Sequence, residues 1–539
     1  MVLRTRLTAA GRALRSALAC RLYVDRRALV VLRVALGALL LADLLLRARS
    51  LAFFYTDAGV LPRSVLFARY PITATLSVHA WFGGNWWVTL LFVAAGVAAV
   101  ALVLGYRTRV AVVCSLLLLV SLHARNPLLL NGGDSLLRRT LLWSLFVPLG
   151  TGLALEDRTR CRHPAAIGLL IQPIVLYVVN AVIKLRGSAW PSGRAVRMVF
   201  SIDPLTVLLG EHLPAYPELL SGLGVAWVVL LCCSPLLVFT TGPRRTAVVT
   251  VFAAAHLGMA FTLGVGLFPA VSLAALLPYL PPAVWESIEG RWNRAVRRID
   301  GVMTAGSSRT IGVLGANRVA RAGSRLARRL GSDPRAVIVA VAPTLFASDR
   351  VFTNRIEADG GSGGRRGIET IDRAWFAAAV RRVARGAATT LLLVVVLWNA
   401  AALGYIDAPR TDATGVSPQE TRWDMFAPSP PTEDVWYVAV GTLDSGEEVD
   451  VIHGGDPSPH RRGGHASAYP SARWRKYLEV VRWNDDDVLR EQFASALCER
   501  WSATHRTRLE AITVHVLSEP TRLDGPESVE EVRVRRHAC

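Results

Sequence analysis

The fold is decided by residues 28–46, which read ALVVLRVALGALLLADLLL. At a rise of about 1.5 Å per residue, an α-helix of this length crosses the roughly 30 Å hydrocarbon core of a bilayer. Residues 1–27 carry seven arginines, and positive residues favour the cytoplasmic side of a span. No small-residue cleavage site follows the run. We therefore predict an uncleaved transmembrane helix with a cytoplasmic N-terminus.

The same pattern recurs along the chain of 539 residues, of which 52% are apolar and 19% charged, with a mean hydropathy of +0.36. This composition excludes a disordered protein and is too apolar for an ordinary soluble domain. Further apolar runs occur at 86–104, 110–124, 136–155, 165–183, 222–240, 246–263, 264–280 and 389–406. The sequence predicts an integral-membrane all-α bundle of about nine transmembrane helices, in which the pair 246–263 and 264–280 is either a hairpin or a broken helix.

The charges of the loops predict the topology. If successive spans alternate, four arginine-bearing connections fall on the cytoplasmic side: Gly105–Arg109, Glu156–His163, Gly242–Arg245 and 281–388. This agrees with the positive-inside rule and predicts a plasma-membrane protein whose C-terminal region lies outside the cell. The predicted domains are a basic cytoplasmic N-terminus (1–27), a transmembrane bundle (28–280), an Arg-rich and partly disordered cytoplasmic insert (281–388), a last transmembrane helix (389–406) and an extracytoplasmic domain (407–539).

The C-terminal region has a different pattern. Val435–Leu443, Glu448–Ile452 and Ala511–Leu517 have the composition of strands, and Asp444–Gly446 has the composition of a turn between the first two. Residues 486–502 have helical spacing. We predict a small β-rich domain with one helix.

Cysteine spacing and net charge narrow the class of partner. The seven cysteines include no CxxC pair, so we expect no metal site. Cys498 and Cys539 are the only cysteines in the C-terminal region, and they can form a disulfide if that region lies outside the cell. The net charge of +20 comes from residues beside apolar runs, without a nucleic-acid-reading motif. We therefore expect membrane lipid, and no nucleic acid, as a partner.

Lysine is almost absent from the sequence. Of 61 basic residues, 59 are arginine, and the only lysines are Lys184 and Lys476. Lys184 follows the apolar run 165–183 and precedes Trp190. It is either a snorkelling anchor beside an interfacial tryptophan or a catalytic base, because a buried lysine can lose its proton whereas arginine stays protonated. Lys476 lies in the outer domain and is expected to be solvated.

Among the polar residues inside predicted spans, Arg33, Asp43 and His256 are candidates for a function. Arg33 and Asp43 are ten residues apart on the first helix, or about 15 Å, so they cannot pair directly and each needs a partner elsewhere. Contacts between helices would explain both without a function. His256 is either an interhelical hydrogen bond or part of a proton path.

A dense polar segment precedes the run 136–155 and contains Arg125, Asn126, Asn131 and Asp134. Asn131, Asp134 or Ser135 could cap the helix that follows, but a cap needs only one such residue. In the predicted topology this segment and the stretch after Lys184 both reach the outer side. Their convergence predicts a pocket that opens outward between helices, beneath the C-terminal domain.

Several stretches resemble the HTTM family, the bacterial and archaeal relatives of vitamin K-dependent γ-glutamyl carboxylase. In order, they are Arg33–Gly37, Phe54–Pro62, Arg125–Pro127, Asn131–Asp134, Lys184 with Trp190 and Gly193, and Trp423–Pro428. The likeness covers about 25–280 and 389–500 and leaves out the insert. Lys184 and Leu185 match the catalytic Lys-Leu pair of the carboxylase, although four residues rather than three separate this pair from Trp190. No residue matches the carboxylase's essential histidine, and only His123 is near its expected place.

The resemblance implies a helical membrane bundle with a β-rich outer domain and a reduced vitamin K-type quinone as cofactor. In the animal carboxylase, a lysine base deprotonates reduced vitamin K, and oxidation of the cofactor drives carboxylation of a glutamate in a peptide. A peptide or protein substrate on the outer side is therefore implied. We assign Lys184 as the base, and we assign to the quinone pocket Arg125, Asn126, Asn131, Asp134, Trp190 and His256.

Two other functions remain open on sequence grounds. The first is a non-catalytic membrane scaffold or lipid-binding protein. The second is a small-molecule transporter that uses Arg33, Asp43 and His256. The hydrophobic segments show no halved repeat, which counts against the transporter.

Overall fold

The computed structural model describes residues 21–150, 158–291, 294, 366–403, 405–406, 425–458, 469–483, 486–523 and 529–539. Residues 1–20, Trp423 and most of the predicted insert at 281–388 lie outside these ranges. The last five residues of the predicted run 136–155 also lie outside them.

Most of the described residues are helical. The helices are α1 (Arg26–Ala48), α2 (Leu51–Tyr55), α3 (Arg63–Arg69), α4 (Pro71–Thr75), α5 (Asn85–Leu104), α6 (Thr108–Arg125), α7 (Gly132–Ser144), α8 (Pro164–Leu185), α9 (Arg194–Ser201), α10 (Pro217–Cys232), α11 (Leu236–Phe239), α12 (Gly242–Thr262), α13 (Phe268–Leu276), α14 (Pro282–Arg291), α15 (Arg366–Ala402), α16 (Ala472–Trp483) and α17 (Asp487–Thr504). Short 3₁₀ helices occur at Val78–Ala80, Pro127–Leu129, Asp203–Leu205, Leu208–Ala215 and Leu277–Tyr279.

Six helices in the described ranges are long and apolar enough to cross a membrane. They are α1, α5, α6, α8, α12 and the segment Arg382–Ala402 of α15. Two bent helix pairs raise the number to as many as eight: Leu208–Ala215 with α10, and Phe268–Tyr279 with α14. The chain thus has the helices of a multi-pass membrane protein, as the apolar runs predicted.

The predicted number of about nine spans is too high for the described residues. In the described part of the run 136–155, which ends at Gly150, the only helix is α7, and it ends at Ser144. The run 222–240 is interrupted before Pro235, and 264–280 contains the short helix α13 followed by a 3₁₀ turn. Pro235 lies just after the end of α10, and Pro278 lies just after the end of α13. Proline disfavours continuation of a helix because it has no N–H to donate and clashes with the preceding turn.

Helix α1 lies in the core of the bundle. Leu29, Leu32 and Leu36 are fully buried. Gly37 permits a close approach to α5, because a Cβ there would lie 2.8 Å from the carbonyl oxygen of Ala99. Other helices expose large apolar side chains, such as Val97 on α5. A bilayer would cover these side chains.

A small antiparallel pair joins β1 (Val24–Asp25) to β2 (Arg160–Cys161). The C-terminal region folds around a second sheet, which contains β3 (Glu433–Leu443), β4 (Glu448–Asp450), β5 (Leu509–Pro520) and β6 (Glu530–Ala538). This sheet is antiparallel and has the strand order β4-β3-β5-β6. Helices α16 and α17 cover the sheet face that carries Tyr437 and Val514. The prediction of a β-rich domain is confirmed in outline, but the prediction of one helix is wrong, and β6 was not predicted.

We call the described residues of 433–539 the outer domain, after their predicted location. This domain and the bundle share a hydrophobic core. The Phe53 ring, from α2, stacks on the Trp474 ring, from α16, with 4.4 Å between centroids. Tyr55, Leu128 and Leu129 belong to the same buried cluster. This shared core fixes the domain against the ends of the membrane helices.

A disulfide joins Cys498 of α17 to Cys539, at the end of β6. Strand β6 is an edge strand with few buried side chains. The cross-link therefore supplements its hydrogen bonds to β5.

We expect the substitution Cys498→Ser to lower the stability of the outer domain by about 3–4 kcal/mol, because the disulfide closes a loop of 41 residues and restricts the unfolded chain. The measurement is the urea midpoint of the purified protein, followed by tryptophan fluorescence. Cys232→Ser is the control, since Cys232 is exposed and unpaired. Equal midpoints for Cys498→Ser and the wild type would contradict the expectation.

Candidate functional site

A cavity of about 680 Å³ lies between α8, α9, α10 and α12. Its walls are almost wholly apolar and include Trp227, Val251 and Phe268. Among the described residues that line it, Lys184 is the only charged side chain. A cavity with this size and lining suits a hydrophobic ligand that is oriented by a few polar contacts.

The spacing of residues on α8 presents Lys184 to the cavity. Tyr177, Asn180 and Lys184 are three and four residues apart, so they share one face of the helix, and all three line the cavity. The Asn180 amide nitrogen donates to the Leu176 carbonyl at 3.1 Å. Lys184 lies in the last turn of α8, where the helix dipole favours a cation.

The Lys184 amine is held inside the protein and not at the surface. The residue is 2% exposed, and its Nζ donates to the Met425 carbonyl at 2.6 Å. The Nζ also lies 3.7 Å from the centroid of the Trp190 ring. The interpretation of Lys184 as a snorkelling anchor therefore does not fit the structure.

The residues that face Lys184 have an unusual backbone. Met425 and Phe426 have φ angles of 37° and 58°, in the left-handed region that costs energy for residues other than glycine. The Trp190 Nε1 donates to the Phe426 carbonyl at 2.8 Å. Both carbonyls are thus occupied by side chains of the α8–α9 region. Both residues belong to the stretch Trp423–Pro428 singled out by the sequence, of which Trp423 lies outside the described residues.

The structure separates Arg125 and Asn126 from this cavity, so their assignment to its wall is corrected. The Arg125 Nη1 donates to the Leu61 carbonyl at 2.7 Å, and the Asn126 amide donates to the Phe54 carbonyl at 2.9 Å. Arg125 thus holds the loop that follows α2, and Asn126 holds the last turn of α2 itself. The sequence does not reveal that these two backbone carbonyls accept hydrogen bonds from Arg125 and Asn126.

Asn131 and Asp134 are also outside the Lys184 cavity. They form a capping box at the start of α7: the Asn131 side chain accepts from the Asp134 N–H at 3.1 Å, and the Asp134 carboxylate accepts from the Asn131 N–H at 2.9 Å. The capping interpretation is therefore right for both residues. Asp134 has a further role in an ion-pair network.

We call Asp43, Arg47, His123, Asp134 and Arg473 the charge cluster. The Arg47 guanidinium contacts both carboxylates, with 2.7 Å to Asp43 and 2.7 Å to Asp134. Arg473, from α16 of the outer domain, pairs with Asp134 at 3.1 Å and also with Asp43. Asp43 thus finds its partners four residues along α1 and in a distant domain.

The charge cluster is a poor metal site. Ligand atoms of Asp43, His123 and Asp134 lie within 4.8 Å of one another. However, two guanidinium groups already neutralise the two carboxylates, and the His123 Nε2 lies 3.2 Å from the Arg47 Nη2. A divalent cation would have to displace both arginines, so the donor set fits an ion-pair network.

His256 and Arg33 are both fully buried. The His256 Nδ1 donates to the Phe252 carbonyl of its own helix at 2.7 Å, and its Nε2 lies 3.5 Å from the Tyr177 hydroxyl. His256 thus stands behind Tyr177, one residue removed from the cavity lining. This geometry favours the interhelical hydrogen bond over a proton path. Arg33 lies on a buried part of α1 and does not line the cavity.

His79 is a further buried histidine, which no sequence pattern had identified. It lies in the 3₁₀ helix before α5 and is 2.7 Å from the Ser121 hydroxyl. Burial, together with Arg125 and Arg47, lowers the pKa of His79 to about 3. It is therefore neutral at physiological pH and binds Ser121 as a neutral imidazole.

Together these contacts define an apolar cavity with one buried amine in its wall. Trp190 is the one other predicted pocket residue, besides Lys184, that lines it. No protein-family model, curated protein or solved structure matches the chain.

We expect Arg473→Met to destabilise the protein by about 3–5 kcal/mol, because it leaves two buried carboxylates with one guanidinium. Lys476→Met is the matched control on the same helix. The Lys476 Nζ pairs with Glu479 at 3.2 Å on the surface, and such pairs contribute less than about 1 kcal/mol. The measurement is the urea midpoint of each variant. Similar small shifts for both would show that the charge cluster does not stabilise the docked domain.

Proposed function

We propose that the chain is a plasma-membrane enzyme of the HTTM type that uses a reduced vitamin K-type quinone, with Lys184 as its general base. The observation that carries the proposal is the Lys184 amine, 2% exposed, in the wall of a cavity of about 680 Å³ whose described lining is mostly apolar. The resemblance of the chain to the carboxylase relatives at Lys184, Trp190 and Gly193 supports the same reading.

The residues present fit a quinone. The apolar walls would enclose a fused ring and part of a prenyl chain, which the ligand would bring from the bilayer. When bound, a reduced quinone supplies an acidic hydroxyl and reducing equivalents for reaction with oxygen. The Lys184 amine, which lines the cavity, would accept the hydroxyl proton as a general base. Trp190 and the Met425 carbonyl hold the amine in place, and the apolar walls exclude water.

A second cavity supports a polar substrate on the outer side. It measures about 320 Å³ and shares Phe426 with the quinone cavity. Charged residues of the outer domain line it, among them Glu433, Arg475 and Arg482. Arg475 donates to the carbonyls of Pro204 and Gly264 at 3.2 and 3.0 Å. A glutamate side chain of a peptide, as in the animal carboxylase, is the substrate that we propose for this cavity.

The proposed orientation places the N-terminus in the cytoplasm and the outer domain outside the cell. The disulfide between Cys498 and Cys539 supports it, because disulfides persist in oxidising compartments. The arginines of the loops at 105–109 and 242–245 support a cytoplasmic location for those loops, because positive residues favour the cytoplasmic side.

A lipid-binding protein without catalysis is the second candidate. The nearly uncharged cavity would also accept an acyl chain. The buried amine distinguishes the two candidates, since an acyl chain needs no base.

We expect Lys184→Arg to reduce the oxidation of reduced vitamin K to its epoxide by about 100-fold or more, because arginine keeps the charge but does not serve as a base. Lys476→Arg, at the only other lysine, should retain the wild-type rate. The assay uses the purified full-length protein in detergent and quantifies the quinone epoxide. A parallel assay of ¹⁴CO₂ incorporation into a glutamate peptide tests the second half-reaction.

The controls decide between the candidates. Equal epoxide formation by Lys184→Arg and the wild type would exclude Lys184 as the base. A wild-type protein that copurifies with phospholipid, contains no quinone by mass spectrometry and forms no epoxide would favour the lipid-binding protein.

A further inference from the structure

A small polar cavity lies on another side of α8, within the helical bundle. It has a volume of about 40 Å³ and is bordered by α7, α8 and α15. Since one water needs about 10–15 Å³ on this scale, the cavity can hold a small ion or a few waters. Leu176 lines both this cavity and the larger apolar one.

The polar lining of this cavity consists of hydrogen-bond donors and amides. Gly132, Ser135 and Arg139 lie three and four residues apart on one face of α7, and all three line the cavity. Gln172 of α8 and Asn399 of α15 complete the polar wall. No aspartate or glutamate is among the described residues that line it.

Among the described residues, Gln172 has no hydrogen-bond partner and Arg139 has no ion-pair partner. Gln172 is 2% exposed, and neither its Nε2 nor its Oε1 has a hydrogen-bond partner within the described chain. Arg139 forms no ion pair with any described residue, whereas its neighbour Arg138 has its Nη1 3.5 Å from the His123 Nδ1. A buried amide without a hydrogen bond is costly inside a helical bundle. Arg139 is only partly buried, and it brings a positive charge to the same cavity.

The arrangement favours a negatively charged ligand. The Arg139 guanidinium, the Gln172 amide and the Ser135 hydroxyl all donate hydrogen bonds. The first residue of α7 also borders the cavity, and the start of a helix attracts anions. Water could satisfy the hydrogen bonds, but only an anion would also neutralise Arg139.

We propose that Arg139, Gln172 and Ser135 bind one small inorganic monovalent anion inside the bundle. The volume admits chloride or bicarbonate and excludes larger organic anions. This site is separate from the Lys184 cavity, so the proposal does not rest on the quinone chemistry.

The test measures anion-dependent stability of the purified full-length protein in detergent. The thermal midpoint is recorded at constant ionic strength while sodium gluconate is replaced by sodium chloride or, in a second arm, by sodium bicarbonate. Gluconate is too large for the cavity. A ligand that binds only the folded protein raises the midpoint in a saturable manner, so we expect a saturable rise in at least one arm. The arm that saturates identifies the anion.

The variants connect the effect to the site. Arg139→Gln should weaken the apparent affinity about tenfold or more, since it removes a charge-assisted hydrogen bond. Arg138→Gln removes the same charge from the adjacent position, which faces His123, and should keep the wild-type affinity. Gln172→Leu leaves the positive charge of Arg139 in place, so it should weaken the affinity less than Arg139→Gln does.

Two results would overturn the proposal. A wild-type midpoint that is the same in gluconate, chloride and bicarbonate would mean that the cavity holds water only. An unchanged affinity in Arg139→Gln would place the anion elsewhere. If Arg139→Gln does not fold, Gln172→Leu decides, and an unchanged affinity in that variant has the same meaning.

Discussion

The position of the outer domain depends on the buried ion pairs that Arg473 makes with Asp43 and Asp134. Burying two carboxylates in a helical bundle is unfavourable unless cations accompany them. Arg47 supplies one cation from α1, and Arg473 supplies the second from α16. The bundle therefore has a charge requirement that the outer domain satisfies, in addition to the apolar contact between Phe53 and Trp474.

Docking of the outer domain has a direct consequence for the candidate site. Strand β3 begins at Glu433, a few residues after Met425 and Phe426, so the docked sheet limits where these two residues can lie. Their carbonyls accept hydrogen bonds from Lys184 and Trp190. The buried amine is thus positioned jointly by the end of α8 and by a segment 241 residues further along the chain. The charge cluster and the cavity are different places, but both are formed where the bundle meets the outer domain.

Properties that depend on local sequence were largely predictable. The apolar runs predicted most long helices because a span needs an uninterrupted stretch of apolar residues, and prolines explain where the runs at 222–240 and 264–280 break. Lys184 was identifiable because the chain otherwise uses arginine. The contacts of Arg125 and Asp134 were not predictable, because their partners, such as Leu61 and Arg473, are distant in the sequence. The predicted position of these polar residues on the outer side suggested that they share one pocket. In the structure they have separate roles: Arg125 holds a loop, Asn131 caps a helix, and Asp134 belongs to both the cap and the ion-pair network. Strand β6 escaped prediction because most of its side chains are polar or charged and none is fully buried, and because only Val532 and Val534 give it an apolar pattern.

Because the chain has only two lysines, a reagent that acylates amines can modify only two side-chain amines, those of Lys184 and Lys476. Lys184 is 2% exposed and Lys476 carries a 37% exposed side chain, so the two amines differ in accessibility while sharing the same functional group. Apart from the α-amino group, the polypeptide contains no third amine that would confuse the signal. The ratio of modification at the two positions therefore gauges how often the interior amine becomes reachable from water, and Lys476 serves as the internal reference within every molecule.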